Sequence, residues 1–405
     1  MKRGAIATAL AVVLASFGPP AAAQVSDDVV RVGVLDDMSG PYADLQGPGD
    51  VVAVKMAVED FGGMVLGKKI EVLDADLQNK ADVGAAIARR WYDIDKVDAI
   101  LGLGNSAVAI AVQGITREKN KINITTSAGT TELTGKACSP NAIHWTYDTY
   151  ALANGTASAI MSRGGGDRWF FITADYAFGH SLERDAIGVL KKAGKEVVGA
   201  VRAPLNSPDF SSYLLQAQAS KAQVIGLANA GADTINAIKQ AAEFGIVASG
   251  QKLAGLLVLI TDIKALGLQA AQGLQFTEAY YWDQNDETRA FAKRFAERHG
   301  GKPPTMFQAG IYGAAMHYLK AVREAKTDEA GPVMEVMRKT PVDDFMTKGA
   351  KIREDGRLMR DMYLMEAKKP SESKAPWDLM KVVATIPGEQ AYRSLAETEC
   401  PLVKK

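Results

Sequence analysis

Two short runs of small and hydroxyl-bearing residues concentrate the polar chemistry of this chain. Gly104-Asn105-Ser106 follows the apolar run Ala99–Leu103, and Ser127-Ala128-Gly129-Thr130-Thr131 follows Ile122–Thr125. Such runs offer N–H and O–H donors without a formal charge. Ser106 stands as an N-cap ahead of Ala107–Val112, where a helix start leaves several N–H groups unpaired, so a small anion or carboxylate suits the place. Asn105, Ser106, Ser127, Ala128, Gly129 and Thr130 are therefore candidate binding residues.

The elements that position these runs read as strands feeding helices. Two turns at the carboxyl ends of successive strands line a crevice, the usual ligand position in an open α/β sheet. Upstream, Val29–Leu35 is a strand, Val51–Phe61 a helix closed by Gly62-Gly63, Lys69–Asp74 a strand and Ala81–Tyr92 a helix. Downstream, a helix over 152–163 opens a second series of strand–helix units ending in Leu253–Leu259, 263–266 and a further strand, Gly273–Ala279. The alternation predicts largely parallel sheets covered by helices on both faces. From Glu287 the pattern turns helical, over 287–299, 305–325 and 333–338, and these segments are expected back against the first sheet. A closing hairpin is expected between the regions of Ile352 and Tyr363–Met365, around Glu354-Asp355-Gly356.

Residues 1–23 have the form of a secretory signal: Lys2 and Arg3, an apolar segment from Ala5 to Phe17, then Pro19-Pro20-Ala21-Ala22-Ala23. The run is too short and too broken by proline for a bilayer span. Without Lys2 and Arg3, 45 of the 47 basic residues remain against 47 acidic ones, so no charge excess favours nucleic acid or anionic lipid. About 380 residues exceed what a single core serves, and two lobes are expected. Cys138 and Cys400, in an exported chain, form either a bridge or two free thiols, with the bridge favoured.

Catalytic readings find little support. His144, His180, His299 and His317 fall in separate elements with no metal spacing, and there is no GxSxG elbow. Gly102-Leu103-Gly104 opens a dinucleotide fingerprint with Ala107 in the third place, but export speaks against a dehydrogenase. Asp36, Asp37, Asp74 and Asp76 stand at strand ends, where carboxylates are mostly solvated caps. No cofactor or metal is expected.

The order of VGVLDDMSGPYA, Gly102–Ser106, SAGTTELTG and DYAFG at Asp175–Gly179, behind a signal, resembles the periplasmic solute-binding proteins of the branched-chain amino acid ABC-transporter family. The resemblance implies a type I periplasmic-binding fold: two α/β lobes with largely parallel sheets, three hinge crossings, and closure on a ligand handed to a membrane permease. Expected boundaries are 24–147 plus 281–352 for the first lobe, 148–280 plus 353–385 for the second, and 386–405 as a tail, in a monomeric periplasmic protein.

It further implies that groups matching Ser106, Ser127 and Gly129 grip the ligand carboxylate. Aromatic contacts match Phe178 and Phe307; two others fall at Leu45 and Ala230, which carry no ring. Tyr42, Tyr147, Tyr150, Tyr176 and Tyr281 are aromatics able to replace them. The family's acidic residue for the substrate ammonium falls, by an ungapped count, at Leu256. An apolar or aromatic acid lacking the amino group is therefore expected, its ring near Leu256 and Phe178, unless Asp148 or Asp262 supplies the charge. Branched-chain or aromatic amino acids, or a ligand-sensing receptor role on the same fold, are the alternatives.

Overall fold

The computed structural model describes residues 25–164 and 166–404, so the expected signal lies outside the described residues. The first sheet holds β1 (Val29–Asp36), β2 (Met64–Val65), β3 (Lys68–Asp76), β4 (Ala99–Gly102), β5 (Ile122–Thr125) and β6 (Ala142–His144), in the order β2-β3-β1-β4-β5-β6. All pairings are parallel except that of β2 with β3. Its connecting helices are α1 (Pro48–Phe61), α2 (Ala81–Asp93) and α3 (Ser106–Glu118). Val30, Val32, Val34 and Leu35 of β1 are all fully buried, as expected of a central parallel strand covered on both faces. Pro48 opens α1 and Gly62, in the left-handed region, ends it.

After α4 (Thr149–Ser162) the chain builds a second parallel sheet, β10-β9-β7-β8, from β7 (Arg168–Ala174), β8 (Glu196–Ala203), β9 (Val224–Ala228) and β10 (Lys252–Gly255). Helices α5 (Ala177–Lys192), α6 (Ser211–Ala219) and α7 (Ala232–Glu243) alternate with its strands. Then come α8 (Ile260–Leu266), α9 (Leu268–Ala271) and β11 (Gln275–Glu278). The following helices, α10 (Asp286–Arg298), α11 (Met306–Ala325) and α12 (Ala330–Lys339), return to the first lobe, where α10 and α11 pack on α1, α11 also meets β4, and α12 packs on α11. The chain thus passes between lobes three times: after β6, after β11, and in the segment leading to β14.

Three expectations are corrected. The segment Gly273–Ala279 does not extend the parallel sheet; β11 pairs antiparallel with β14 (Met362–Ala367), which pairs antiparallel with β15 (Met380–Ile386). Local apolar pattern specifies a strand but not its partner, and this partner arrives some ninety residues later. The Asp355-Gly356 turn joins β12 (Lys351–Ile352) to β13 (Leu358–Met359), not to Tyr363–Met365. The strand expected over Leu253–Leu259 stops at Gly255, and the next four residues turn irregular before α8. Cys138 and Cys400 are joined in a disulfide that spans 262 residues of sequence. It ties the C-terminal segment to the first lobe, beside the hydrogen bond from Thr398 Oγ1 to Thr134 O.

Candidate functional site

The first wall of the cleft begins where β4 ends. Gly102 and Leu103 both lie at positive φ, 95° and 62°, which turns the chain sharply into α3. A Cβ on Gly102, at positive φ, would fall 1.9 Å from a carboxyl oxygen of Asp36, so this position needs glycine, and one on Gly104 would fall 1.9 Å from the Gln46 amide and displace it. Asn105, rather than Ser106, is the N-cap: its Oδ1 accepts from the N–H groups of Ala107 at 2.9 Å and Val108 at 3.3 Å. With the cap filled, Ser106 becomes the first helical residue and its hydroxyl is free to face the cleft, where it also accepts from Thr130 N at 3.3 Å.

The second turn follows β5. The N–H groups of Thr126 and Ser127 both donate to Gly102 O, which locks the two turns together. Ser127 Oγ donates to Asp50 Oδ2 at 3.2 Å, and Tyr147 Oη donates to Ser127 O at 2.9 Å. Asp37 shapes the neighbouring loop by accepting from Gly40 N, Tyr42 N and Asn79 Nδ2 at 2.7–2.9 Å, which aims Tyr42 across the cleft.

The facing wall is apolar. Tyr176 and Phe178, at the start of α5, have ring centroids 6.1 Å apart. Ala230 follows β9 and Leu257 follows β10, while from the first-lobe side Phe307, in the first turn of α11, stands 5.3 Å from the Tyr147 ring. Tyr42 Oη and Tyr176 Oη meet at 2.8 Å and Ala232 N donates to Pro41 O at 3.4 Å, so the two walls touch and the cleft is closed. The cavity left between them is about 10 Å³, room for about one water, so a ring-sized ligand requires the walls to stand further apart than they do here.

Of the residues expected from sequence, the structure gathers Tyr42, Ser106, Ser127, Ala128, Tyr176, Phe178 and Phe307 around this space. Asn105, Gly129 and Thr130 stand behind it: Asn105 as cap, Gly129 under the Tyr147 ring, and Thr130 bonded to Ser106 and, through its Oγ1, to Glu132 N. Tyr150 lies elsewhere, beneath the cations of Lys192 and Arg393. Leu256 is buried but does not line the cleft; Leu257 does, because the irregular stretch after Gly255 turns the next side chain inward. Gln46 is the notable residue that the sequence did not announce. It is buried at the cleft, and neither its Oε1 nor its Nε2 has a hydrogen-bond partner.

Among the described residues, none of the side chains lining the cleft carries a formal charge. Asp148 and Asp262, the two carboxylates considered as ammonium partners, are committed elsewhere. Asp148 caps α4 through Ala151 N at 2.8 Å, and Asp262 accepts from Leu259 N at 2.9 Å at the start of α8. Burial raises both, to about 6 and about 7 respectively. Two further acids lie directly behind the first wall. Asp36 and Asp50 are fully buried against each other, and desolvation raises both, Asp36 well above the usual carboxylate range and Asp50 to about 7. Asp36 is thus not the solvated strand cap that its position suggests.

Two α/β lobes that close on a small, donor-rich cleft define a type I periplasmic-binding fold. The family described as periplasmic binding protein matches residues 29–374, and the chain belongs to it. A periplasmic binding protein from Burkholderia mallei is 51% identical, with a TM-score of 0.91 over 93% of this chain and all of that one. A branched-chain amino acid ABC-transporter periplasmic ligand-binding protein from Burkholderia xenovorans LB400 is 42% identical, with a TM-score of 0.82 over 92% of this chain and 99% of that one. The Leu/Ile/Val-binding protein homolog 6 of Brucella melitensis is 29% identical over 77% of this chain and 80% of its own length. At the level of fold alone, a Rhodopseudomonas palustris solute-binding protein in complex with benzoate superposes with a TM-score of 0.80 at 21% identity, over 92% of this chain and all of that one. The chain is accordingly a non-enzymatic periplasmic solute-binding protein of the ABC-transporter kind.

Proposed function

We propose that this protein captures a small aromatic or apolar carboxylate and delivers it to a membrane ABC permease, after export and removal of residues 1–23. The carboxylate docks on the first wall, with Ser106 and Ser127 donating and the N-terminus of α3 adding a favourable dipole. The ring lies among Tyr147, Tyr176, Phe178 and Phe307, where offset and edge-on contacts with a ligand ring are available. A ligand bridging both walls binds the closed form best and so shifts the open–closed equilibrium.

The observation that carries this reading is the uncharged lining. A buried ammonium without a counter-charge costs several kcal/mol, so a cleft with no acidic side chain disfavours an α-amino acid. The benzoate bound by the structural neighbour agrees with that reading, whereas the names of the more similar relatives favour leucine, isoleucine or valine. A thermal-shift screen with benzoate, phenylpropanoate, leucine and phenylalanine separates the two. A ligand at a hundred times its Kd stabilises by about 2.7 kcal/mol. Stabilisation by the aromatic acids is expected; stabilisation by leucine alone would refute the proposal.

A further inference from the structure

The buried acids behind the first wall have a part to play in how the cleft holds an anion, on the reading that it binds a carboxylate. Asp36 closes β1 and lies beneath the Gly102–Gly104 turn, while Asp50 sits in the first turn of α1. Asp36 meets only the Gly104 N–H and the Asp50 carboxyl, Asp50 only Asp36 and Ser127, and no lysine, arginine or histidine among the described residues pairs with either. Two buried carboxyl groups in mutual contact without a cation are tenable only if they retain a proton.

The groups packed around the pair support this. From the β1–α1 loop come Asp37, whose oxygens are taken by Gly40, Tyr42 and Asn79, and the uncommitted Gln46 amide. From α11 comes Gln308, whose Nε2 donates to Gln46 O. From the turn after β5 come Thr126 and Ser127, whose hydroxyls are 3.3 Å apart, and Tyr147 reaches Ser127 O from beyond β6. Asp37 adds negative charge that further disfavours full ionisation of the pair. Ser127 is the cleft-lining residue whose side chain hydrogen-bonds to the pair, and Gly104 reaches Asp36 only through its backbone N–H.

We propose that a proton held by Asp36 and Asp50 sets the direction of the Ser127 hydroxyl and thereby the cleft's affinity for a carboxylate. With Asp50 protonated, its O–H donates to Ser127 Oγ, and the Ser127 hydrogen is free for the ligand. Once Asp50 ionises, with the remaining proton on Asp36, Ser127 donates back to Asp50, and the bound anion faces a buried negative charge. Asp36 and Asp50 are positioning residues that act through Ser127, and capture of the anion is coupled to retention of the proton.

The test is calorimetric titration of benzoate from about pH 5 to about pH 9, in buffers of different ionisation enthalpy, on the wild type and Asp50→Asn. An asparagine amide donates to Ser127 at every pH. The wild type should lose affinity by up to about tenfold per pH unit above the titration of the pair, with proton uptake on binding. The variant should bind with a flat profile and no uptake. A variant that keeps the wild-type slope and uptake, or a wild type with a flat profile, overturns the proposal. A ligand-free measurement keeps the tests separate: the infrared difference between wild type and Asp50→Asn near pH 6, which should contain the carbonyl stretch of a protonated carboxyl. Its absence refutes the shared proton whatever the ligand is. Its presence, with no benzoate binding at any pH, sustains the proton and rejects the aromatic-acid reading instead.

Discussion

The two walls of the cleft are built from the same strand–turn–helix units but present opposite chemistry. On the first, β4 and β5 end in glycine and serine turns whose Ser106 and Ser127 line the cleft, with Asp36 and Asp50 behind them. On the second, β7, β9 and β10 end in turns that project Tyr176 and Phe178, Ala230, and Leu257. The fold supplies strand ends on both sides, and only the residues placed there decide which end of a ligand each wall accepts. A molecule that satisfies both has an anionic head and an apolar body.

The sharpest way to break this division is to silence the polar wall. Each hydrogen bond to a charged group is worth about 1.5–3 kcal/mol. The double variant Ser106→Ala/Ser127→Ala should therefore weaken benzoate by roughly 10²- to 10⁴-fold in calorimetry while the circular dichroism melt still shows a folded protein. An affinity within about threefold of wild type would remove the hydroxyls from the site.

Next in size is the effect of the buried acids on stability. The folded-state value of Asp50 is raised from 3.8 to about 7, so its contribution is full below the unfolded value and is lost as pH rises through that window. The wild type should lose up to about 1.4 kcal/mol per pH unit across it, a slope that Asp50→Asn flattens in denaturant titrations. Equal slopes in the two proteins would mean that Asp50 is ionised throughout.

On the apolar wall, Phe178→Ala should weaken benzoate by about 1–3 kcal/mol through lost ring burial and stacking. Acetate, which has no ring to lose, should bind the variant and the wild type alike, so equal losses for both acids would erase the distinction between walls. Smallest is Tyr176→Phe, which deletes the hydroxyl contact with Tyr42 across the closed cleft. It should cost about 0.5–1.5 kcal/mol of affinity, seen mainly as faster dissociation in stopped flow.

The polar wall was largely legible in the sequence and the apolar wall only in part. Glycine, serine and threonine just after an apolar strand report a turn at the sheet's carboxyl edge, and Ser106 and Ser127 lie in such turns. Which residue of a cap faces outward is a finer matter: Asn105 took the capping bonds and released Ser106. The ungapped count back from Gly273 led to Leu256, but the chain leaves the strand at Gly255, and it is Leu257 that lines the cleft. Gln46 and the Asp36–Asp50 contact carry no local signature. A lone amide in a loop and two acids fourteen residues apart on different elements acquire meaning only once β1, α1 and the turn after β4 are packed together. The pairing of β11 with β14 was hidden for the same reason.

The central claim is that this cleft accepts a carboxylate and has no place for an ammonium. Calorimetry of phenylpropanoate against phenylalanine, two molecules that differ by the amino group alone, tests it most directly. Phenylpropanoate should bind at least about tenfold more tightly, a difference of about 1.4 kcal/mol. Tighter binding of phenylalanine would contradict the account and return the protein to the amino acids named in its relatives.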